Sequence, residues 1–307
     1  MPGAYRLTAF EDRMFARFVC AIAFAPGSPK FGVVVKVWLN TFGLWERHTE
    51  YSDESPWPPY PAHSHTDYQF LLSDDAPSAM RLKSGLMHVP AGALSVMHPL
   101  EVHAAVDLPV TEGRTVTWRM LNLRPAALHE AAASLNLDVQ SPVSFLSNVL
   151  AGEKIARLFR EWHVAAETGG TTPQLNSLGH TFFEELILRH RRAEPPPEAH
   201  CGRLRPALQH LAENLEKNIT LHELTRLTRL DRHQLHRAFV DVTGMSPHRY
   251  MVRLRVDAAR RLLAAGCPLT EVAHSVGFSD QSHFTRHFKL GIKDTPGRYS
   301  AYSREAH

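Results

Sequence analysis

The chain has 307 residues, with 34 Lys and Arg, 31 Asp and Glu, 20 His and three Cys. That length allows two domains. No apolar run reaches the roughly 18 residues a membrane span needs, and residues 1–24 mix charges among their apolar positions, unlike a secretory leader. Cys20, Cys201 and Cys267 are few, odd in number and far apart, which suits a reducing, cytoplasmic compartment. The charge is divided unevenly. From residue 203 on, 17 Lys and Arg stand against 10 Asp and Glu, a net of +7, whereas the remaining 17 and 21 leave a net of −4 before it. An acidic first part joined to a basic last part directs only the last part toward a polyanion.

Between residues 31 and 123 the pattern is of short strands, predicted at 33–39, 68–72, 85–89, 93–97 and 115–121 and separated by Pro, Gly and Asp. Such spacing fits a small antiparallel barrel or sandwich. Residues 126–192 turn helical: Leu150, Ile155, Leu158, Phe159 and Trp162 recur at helical steps, as do Leu175, Leu178, Phe182, Leu186 and Ile187. Two readings of the second stripe are open, core packing against the strands or a dimer seam. A triple proline at 195–197 cannot continue a helix and marks a spacer over residues 193–202. The expected division is therefore 1–125, 126–192, 193–202 and 203–307.

The last part is punctuated as consecutive helices. Thr220 and Glu223 have the spacing of a capping box, with Leu224 and Leu227 supplying an apolar face. Asp231 caps a short helix predicted at 232–240, buried through Leu235, Ala238 and Phe239. Two short helices about a tight turn form a helix-turn-helix. The plan recurs with a helix at 269–276, a turn at Gly277-Phe278-Ser279-Asp280 in which Ser279 is the expected cap, and a helix at 281–289 burying Phe284 and Phe288. Ser246-Pro247 opens and Gly266 closes a helix between the units. Its 19 or so residues make a rod of about 28 Å, close to the ~34 Å that separates successive major grooves on one face of a duplex.

These residues, from Thr243-Gly244-Met245-Ser246-Pro247 through Arg253-Leu254-Arg255 and Gly277-Phe278-Ser279-Asp280-Gln281 to Thr295-Pro296-Gly297-Arg298-Tyr299, resemble the AraC/XylS family of transcription regulators over about 204–302. The resemblance implies an α+β protein with an N-terminal antiparallel, cupin-like β-barrel flanked by helices. An all-α C-terminal domain of two helix-turn-helix units joined by a long helix would follow it. It places base-reading side chains at His233, His236 and Arg237 in the first unit and at Gln281, Ser282, Thr285 and Arg286 in the second. Arg suits guanine and Gln suits adenine in the major groove, while Arg232, Arg249 and Arg298 suit phosphates. The sequence departs from the family pattern at Thr225 and Arg229, where a small residue and a glycine are usual. A non-glycine residue in that left-handed turn costs on the order of 1 kcal/mol.

Earlier in the chain, His63-Ser64-His65-Thr66-Asp67-Tyr68-Gln69, Val89-Pro90-Ala91-Gly92 and His98-Pro99-Leu100-Glu101-Val102-His103 resemble the two cupin motifs of effector-binding domains in that family. His98 and Leu100 stand where Asn or Gly is more usual. The resemblance implies an organic effector and no resident cofactor, with His63, His65, Tyr68, Gln69, His103 and Arg119 as candidate contacts and Trp118 as a flat wall. His63, His65 and His103 are also the alternative metal set, a workable one for zinc, iron or nickel, although Gln69 replaces the acidic ligand. A structural role for the histidines is the third possibility. No phosphate loop, nucleophile elbow or zincin motif is present, and the expectation is a regulator and not an enzyme. A metal-cupin enzyme with a DNA-binding tail and a regulator driven by a protein partner are the alternatives. Expected partners are double-stranded DNA, a small-molecule effector, a second copy of the chain, RNA polymerase if the protein activates, and no membrane.

Overall fold

The structure is a computed structural model that describes residues 21–24, 31–40, 42–52, 62–106, 114–137, 143–192, 202–292 and 294–304. The proline-rich spacer at 193–201, Cys20 and Cys201 lie outside the described residues. The first part contains β1 (Ala21–Phe24), β2 (Phe31–Leu39), β3 (Gly43–Ser52), β4 (Tyr68–Ser73), β5 (Ser78–Leu82), β6 (Gly85–Val89), β7 (Leu94–Met97), β8 (His103–Ala105), β9 (Arg114–Leu123) and β10 (Val149–Leu150). One antiparallel sheet runs in the order β1-β2-β3-β9-β4-β7-β10 and a second, smaller one in the order β6-β5-β8. All five strands predicted from the sequence are present. β3, β5 and β8 had no apolar alternation to announce them.

Side chains alternate across a strand, and the two faces of the large sheet have different neighbours. Trp45, Tyr68, Phe70, Leu72, Leu94, Val96, Leu121 and Leu123 pack with α1 (Pro125–Ser134), α2 (Glu153–Glu167) and α3 (Thr172–Glu185), the last continuing through one π turn, Leu186–His190. Leu71 and Met97, on the other face, meet Met80 and Leu82 of the small sheet. Both helical stripes read from the sequence end in this core: Ile155, Leu158, Phe159 and Trp162 from the first, Leu175, Phe182, Leu186 and Ile187 from the second. The second stripe is core and not a dimer seam.

The last part is α4 (Arg205–Glu213), α5 (Leu221–Thr228), α6 (Arg232–Thr243), α7 (Pro247–Ala264), α8 (Leu269–Ser275), α9 (Gln281–Ile292) and α10 (Pro296–Arg304). Its boundaries follow local chemistry. Thr220 and Glu223 form both bonds of the capping box, and Asp231 forms a second box with Gln234. Ser246 caps α7 with Pro247 in its first turn. At α9 the cap falls to Asp280, which accepts from the His283 amide at 2.7 Å, while the Ser279 hydroxyl donates to the same carboxylate at 3.1 Å. The expected cap was Ser279. A carboxylate answers the positive end of the helix better than a hydroxyl does.

Arg229 occupies the left-handed region, φ 55°, at the end of α5. We predict that Arg229→Gly stabilises the chain by about 1 kcal/mol, read as a higher urea midpoint; an unchanged or lower midpoint would show that the turn carries no strain.

Candidate DNA interface and histidine cluster

Each helix-turn-helix unit has its own core. Leu224, Leu235 and Phe239 pack with Leu208, Tyr250 and Leu254 in the first; Val272, Val276, Phe278, Phe284 and Phe288 pack with Ala259, Leu263 and Tyr299 in the second. Burying Leu235 and Phe239 turns Arg232, His233, His236 and Arg237 of α6 outward, and all four are exposed. Burying Phe284 and Phe288 leaves Gln281, Ser282 and Arg286 of α9 exposed, with Thr285 half-buried. The first cluster thus presents guanidinium and imidazole groups and the second guanidinium, amide and hydroxyl groups beside a helix start, which is the chemistry that reads base edges in a major groove. Arg249 and Arg298 are exposed at the first turns of α7 and α10, where backbone amides add to their attraction for phosphate. The sequence reading passed over His283 and His287, whose Nε2 atoms lie 2.9 Å apart beside the Phe278 ring; their i, i+4 spacing was the available signal.

The histidines of the first part converge. His63 and His103 face each other across an antiparallel bridge, each amide donating to the other's carbonyl at 2.9 Å. Cross-strand partners project to the same side, and so does a residue two further along, which brings His65 to both. The ring centroids are 4.5 Å (His63–His103), 4.6 Å (His65–His103) and 5.2 Å (His63–His65) apart. One nitrogen from each ring lies within 4.8 Å of the other two. The His103 Nδ1–H donates to the Glu101 carbonyl at 2.9 Å, which leaves the Nε2 lone pair facing the cluster side. That Nε2 and both ring nitrogens of His65 are buried without a hydrogen-bond partner among the described residues. Each such group costs about 1–3 kcal/mol. Burial pulls the His65 pKa well below its usual value, with the charges of His103, His63 and Arg253 adding to it. Burial also lowers His103, against the opposing Glu101 carbonyl. Both imidazoles are therefore held neutral.

The other candidate contacts are engaged elsewhere. The Tyr68 hydroxyl donates to the Val143 carbonyl at 2.7 Å, and burial pushes its pKa up. Gln69 Nε2 donates to Asn122 Oδ1 at 3.3 Å. Arg119 pairs with Asp74 at 3.1 Å and Glu167 at 3.6 Å, and Trp118 packs on the inter-sheet cluster.

Residues 224–302 match the family profile described as a helix-turn-helix domain. The chain is 25% identical over 229 residues, 73% of its length and 81% of the relative's, to YbfI of Bacillus subtilis (strain 168), an uncharacterized HTH-type transcriptional regulator. It is 37% identical over 98 residues to the HTH-type transcriptional activator RhaS of Pectobacterium carotovorum, a match over 31% of this chain and 35% of that one. About a third of RhaS is thus spanned, all of it one domain's worth. Among solved structures, ToxT of Vibrio cholerae with unsaturated fatty acid bound superposes with a TM-score of 0.59 over 87% of this chain and 97% of that one, at 12% identity, a likeness of fold. Residues 224–302 are thus a helix-turn-helix domain of the kind these transcriptional regulators carry, and the chain is similar to them.

In this chain the helices of the helix-turn-helix region are docked on the strands. Val37 of β2 and Leu44 of β3 belong to the same apolar cluster as Val256, Ala259 and Leu263 of α7 and Tyr299 of α10. On the same face as Leu44, the buried Glu46 takes an ion pair from Arg260, with the Tyr299 hydroxyl 3.4 Å away. Arg261 pairs with Asp67, just past the histidine segment. The first unit is held by that segment and its neighbour. Ser64 Oγ donates to the Thr243 carbonyl at 3.0 Å, Lys83 donates to the Asp241 carbonyl, and Leu100 packs on the Leu224–Leu235–Phe239 core. Val102 lies so close to Gly244 that a Cβ there would stand 2.8 Å from it. Leu100 itself has φ 67°, the conformation that the more usual glycine adopts freely.

Removing one member of a buried pair strands the other. We predict that Glu46→Ala costs about 3–5 kcal/mol in urea unfolding, whereas Glu46→Leu combined with Arg260→Met costs far less. Equal losses in the two would mean that the pair carries no coupling.

Proposed function

We propose that this regulator reads two adjacent major grooves through α6 and α9, and that a small-molecule effector held by the N-terminal region modulates the binding. The observation that carries the reading is the division of surfaces on the DNA-binding helices. The reading side chains of α6 and α9 are exposed apart from the half-buried Thr285, while other parts of the same domain are held by the strands through Glu46, Ser64, Asp67 and Leu100. An effector that alters the grip changes how the two reading helices are presented without having to touch them. It does so to the extent that its affinity differs between the docked and released arrangements.

The working division is a sensor over 1–125, a helical packing segment over 126–192, a linker over 193–202 and a DNA-binding domain over 203–307. Leu71, Met80, Leu82 and Met97 pack together between the two sheets, and Tyr68, Gln69 and Arg119 each have a partner in Val143, Asn122 and Asp74. That directs an effector to the groups with unmet valence, His65 and His103, with His63 beside them. A solved neighbour of like fold carrying a fatty acid supports ligand control in such an architecture, although no part of that ligand's chemistry is met by three imidazoles.

Two substitutions test the two halves of this function on a duplex selected from random sequence. Arg286→Ala weakens specific binding by about 1–3 kcal/mol and relaxes preference at one base pair; an unchanged preference removes α9 from base reading. Asp67→Asn loosens the hold on Arg261 and shifts DNA affinity although Asp67 stands on no reading helix. Unaltered affinity in that variant would separate docking from DNA binding.

A further inference from the structure

We propose that the effector is a first-row transition-metal ion bound by His63, His65 and His103, and that loading this site releases the first helix-turn-helix unit from the strands. The inference rests on the function proposed above and names the ligand class of its sensor.

The donor set comes first. Three imidazoles, with no thiolate and no carboxylate among them, suit zinc, cobalt, nickel or copper and are poor ligands for magnesium or calcium. His103 is prepared as a ligand: its Nδ1–H is fixed on the Glu101 carbonyl, leaving Nε2 as the free donor. Glu101 is itself anchored, its carboxylate accepting from the His98 amide at 3.0 Å and from Asn148 Nδ2 at 2.7 Å. Ligating histidines are oriented by supports of this kind. His65 is 6% exposed and His103 2% exposed, whereas His63 is half-buried and provides the approach from solvent. Three protein ligands leave a coordination position for water or a small anion.

The coupling follows from what else these two segments do. Residues 63–67 carry two of the imidazoles and, between and just after them, Ser64 and Asp67, which hold Thr243 and Arg261. Residues 98–103 carry the third imidazole together with Leu100 and Val102, which pack on the first unit's core and against Gly244. Metal–nitrogen bonds of about 2.0–2.1 Å in a tetrahedron place the nitrogens roughly 3.3 Å apart, against separations of up to 4.8 Å in the docked arrangement. Loading therefore draws the two segments together. The contacts to α6 and α7 are fitted to their wider spacing, so metal binding and docking oppose each other, and the released unit is free to meet its groove.

The test uses the full chain, stripped with a chelator and titrated with Co(II), Zn(II) or Ni(II) alone. One equivalent binds, with the visible spectrum of nitrogen-ligated Co(II), and Mg(II) does not compete. His63→Ala and His65→Leu each lose at least about tenfold in metal affinity. His65→Leu keeps an unfolding midpoint at or above that of the metal-free parent, because it removes an unpartnered buried polar group, so its loss of metal is not a failure to fold. DNA affinity rises about fivefold or more on loading, and this rise is absent in both variants. Arg286→Ala loses DNA binding yet binds Co(II) as the parent does. A parent chain that binds no transition metal, or that binds it in the His65→Leu variant equally well, overturns the site. A loaded parent whose DNA affinity is the same or weaker overturns the coupling. Neither result touches the DNA-binding assignment, which stands or falls with Arg286→Ala.

Discussion

Two neighbouring arginines on one helix have to be neutralised before α7 can lie against a sheet. Arg260 and Arg261 follow each other near the C-terminal end of α7, in a stretch otherwise made of Ala258, Ala259, Leu262 and Leu263. Burying that stretch takes the Arg260 guanidinium out of water and leaves that of Arg261 half-buried, at a cost that a well-placed carboxylate offsets. Glu46 from β3 and Asp67 from the segment before β4 meet them. The two acids lie on different parts of the strand region, so satisfying both fixes the position of α7 along the sheet and its rotation. Because α7 is also the rod that joins the two helix-turn-helix units, the same two ion pairs determine where both of them sit.

Asp257 shows how close to its limit this junction is. It lies one turn before Arg261 and accepts from Arg253 at 3.0 Å, with Arg260 at 3.8 Å. Burial nevertheless raises its pKa against the pull of Arg253 and Arg261. The arginines are thus shared between acids on their own helix and acids on the strands. Of its two acids Arg260 lies closer to Glu46, with Asp257 at 3.8 Å the more distant partner. Arg253 extends the link in the other direction: its charge reaches His65 and His103, so the histidine cluster and the rod lie within electrostatic range of each other.

How much of this was legible beforehand depended on whether the deciding partner was near in sequence. The DNA-binding helices could be drawn from the chain alone because their starts are written locally, by Thr220 with Glu223, Asp231 and Ser246, and their cores by i, i+3 and i+4 repeats. The one slip there, Ser279 for Asp280, was a choice between neighbours. β3 was invisible because its residues Glu46, Arg47 and His48 break the apolar alternation expected of a strand. Glu46 faces inward only because Arg260 stands 214 positions later. Arg119 read as a free cation for an effector, and its acids, Asp74 and Glu167, lie 45 and 48 positions away on either side. The convergence of His63, His65 and His103 was suggested by motif. The unmet nitrogens of His65 and His103 and the place of the cluster behind Ser64, Leu100 and Val102 became visible only once the strand pairing was known.

That placement determines what kind of control is available. Had the strands covered Arg237 and Arg286, the regulator would be switched by uncovering a surface. Arg237 and Arg286 are exposed in the docked arrangement, and what the strands hold instead is α6 at Thr243 and the length of α7. Two recognition helices on one rod bind adjacent grooves only if their separation and tilt match the duplex, so in the proposed function a tilt imposed on one end of α6 spoils the match while leaving Arg237 and Arg286 in solvent. The proposed control by presentation fits the unequal grip on the two units. The second is built into a continuous apolar cluster with β2 and β3, whereas the first is tied by a few contacts from two short segments. The weaker grip belongs to the unit whose turn already carries the strained Arg229, so it is the first unit that a small change at the strands can move, with the second serving as the fixed point.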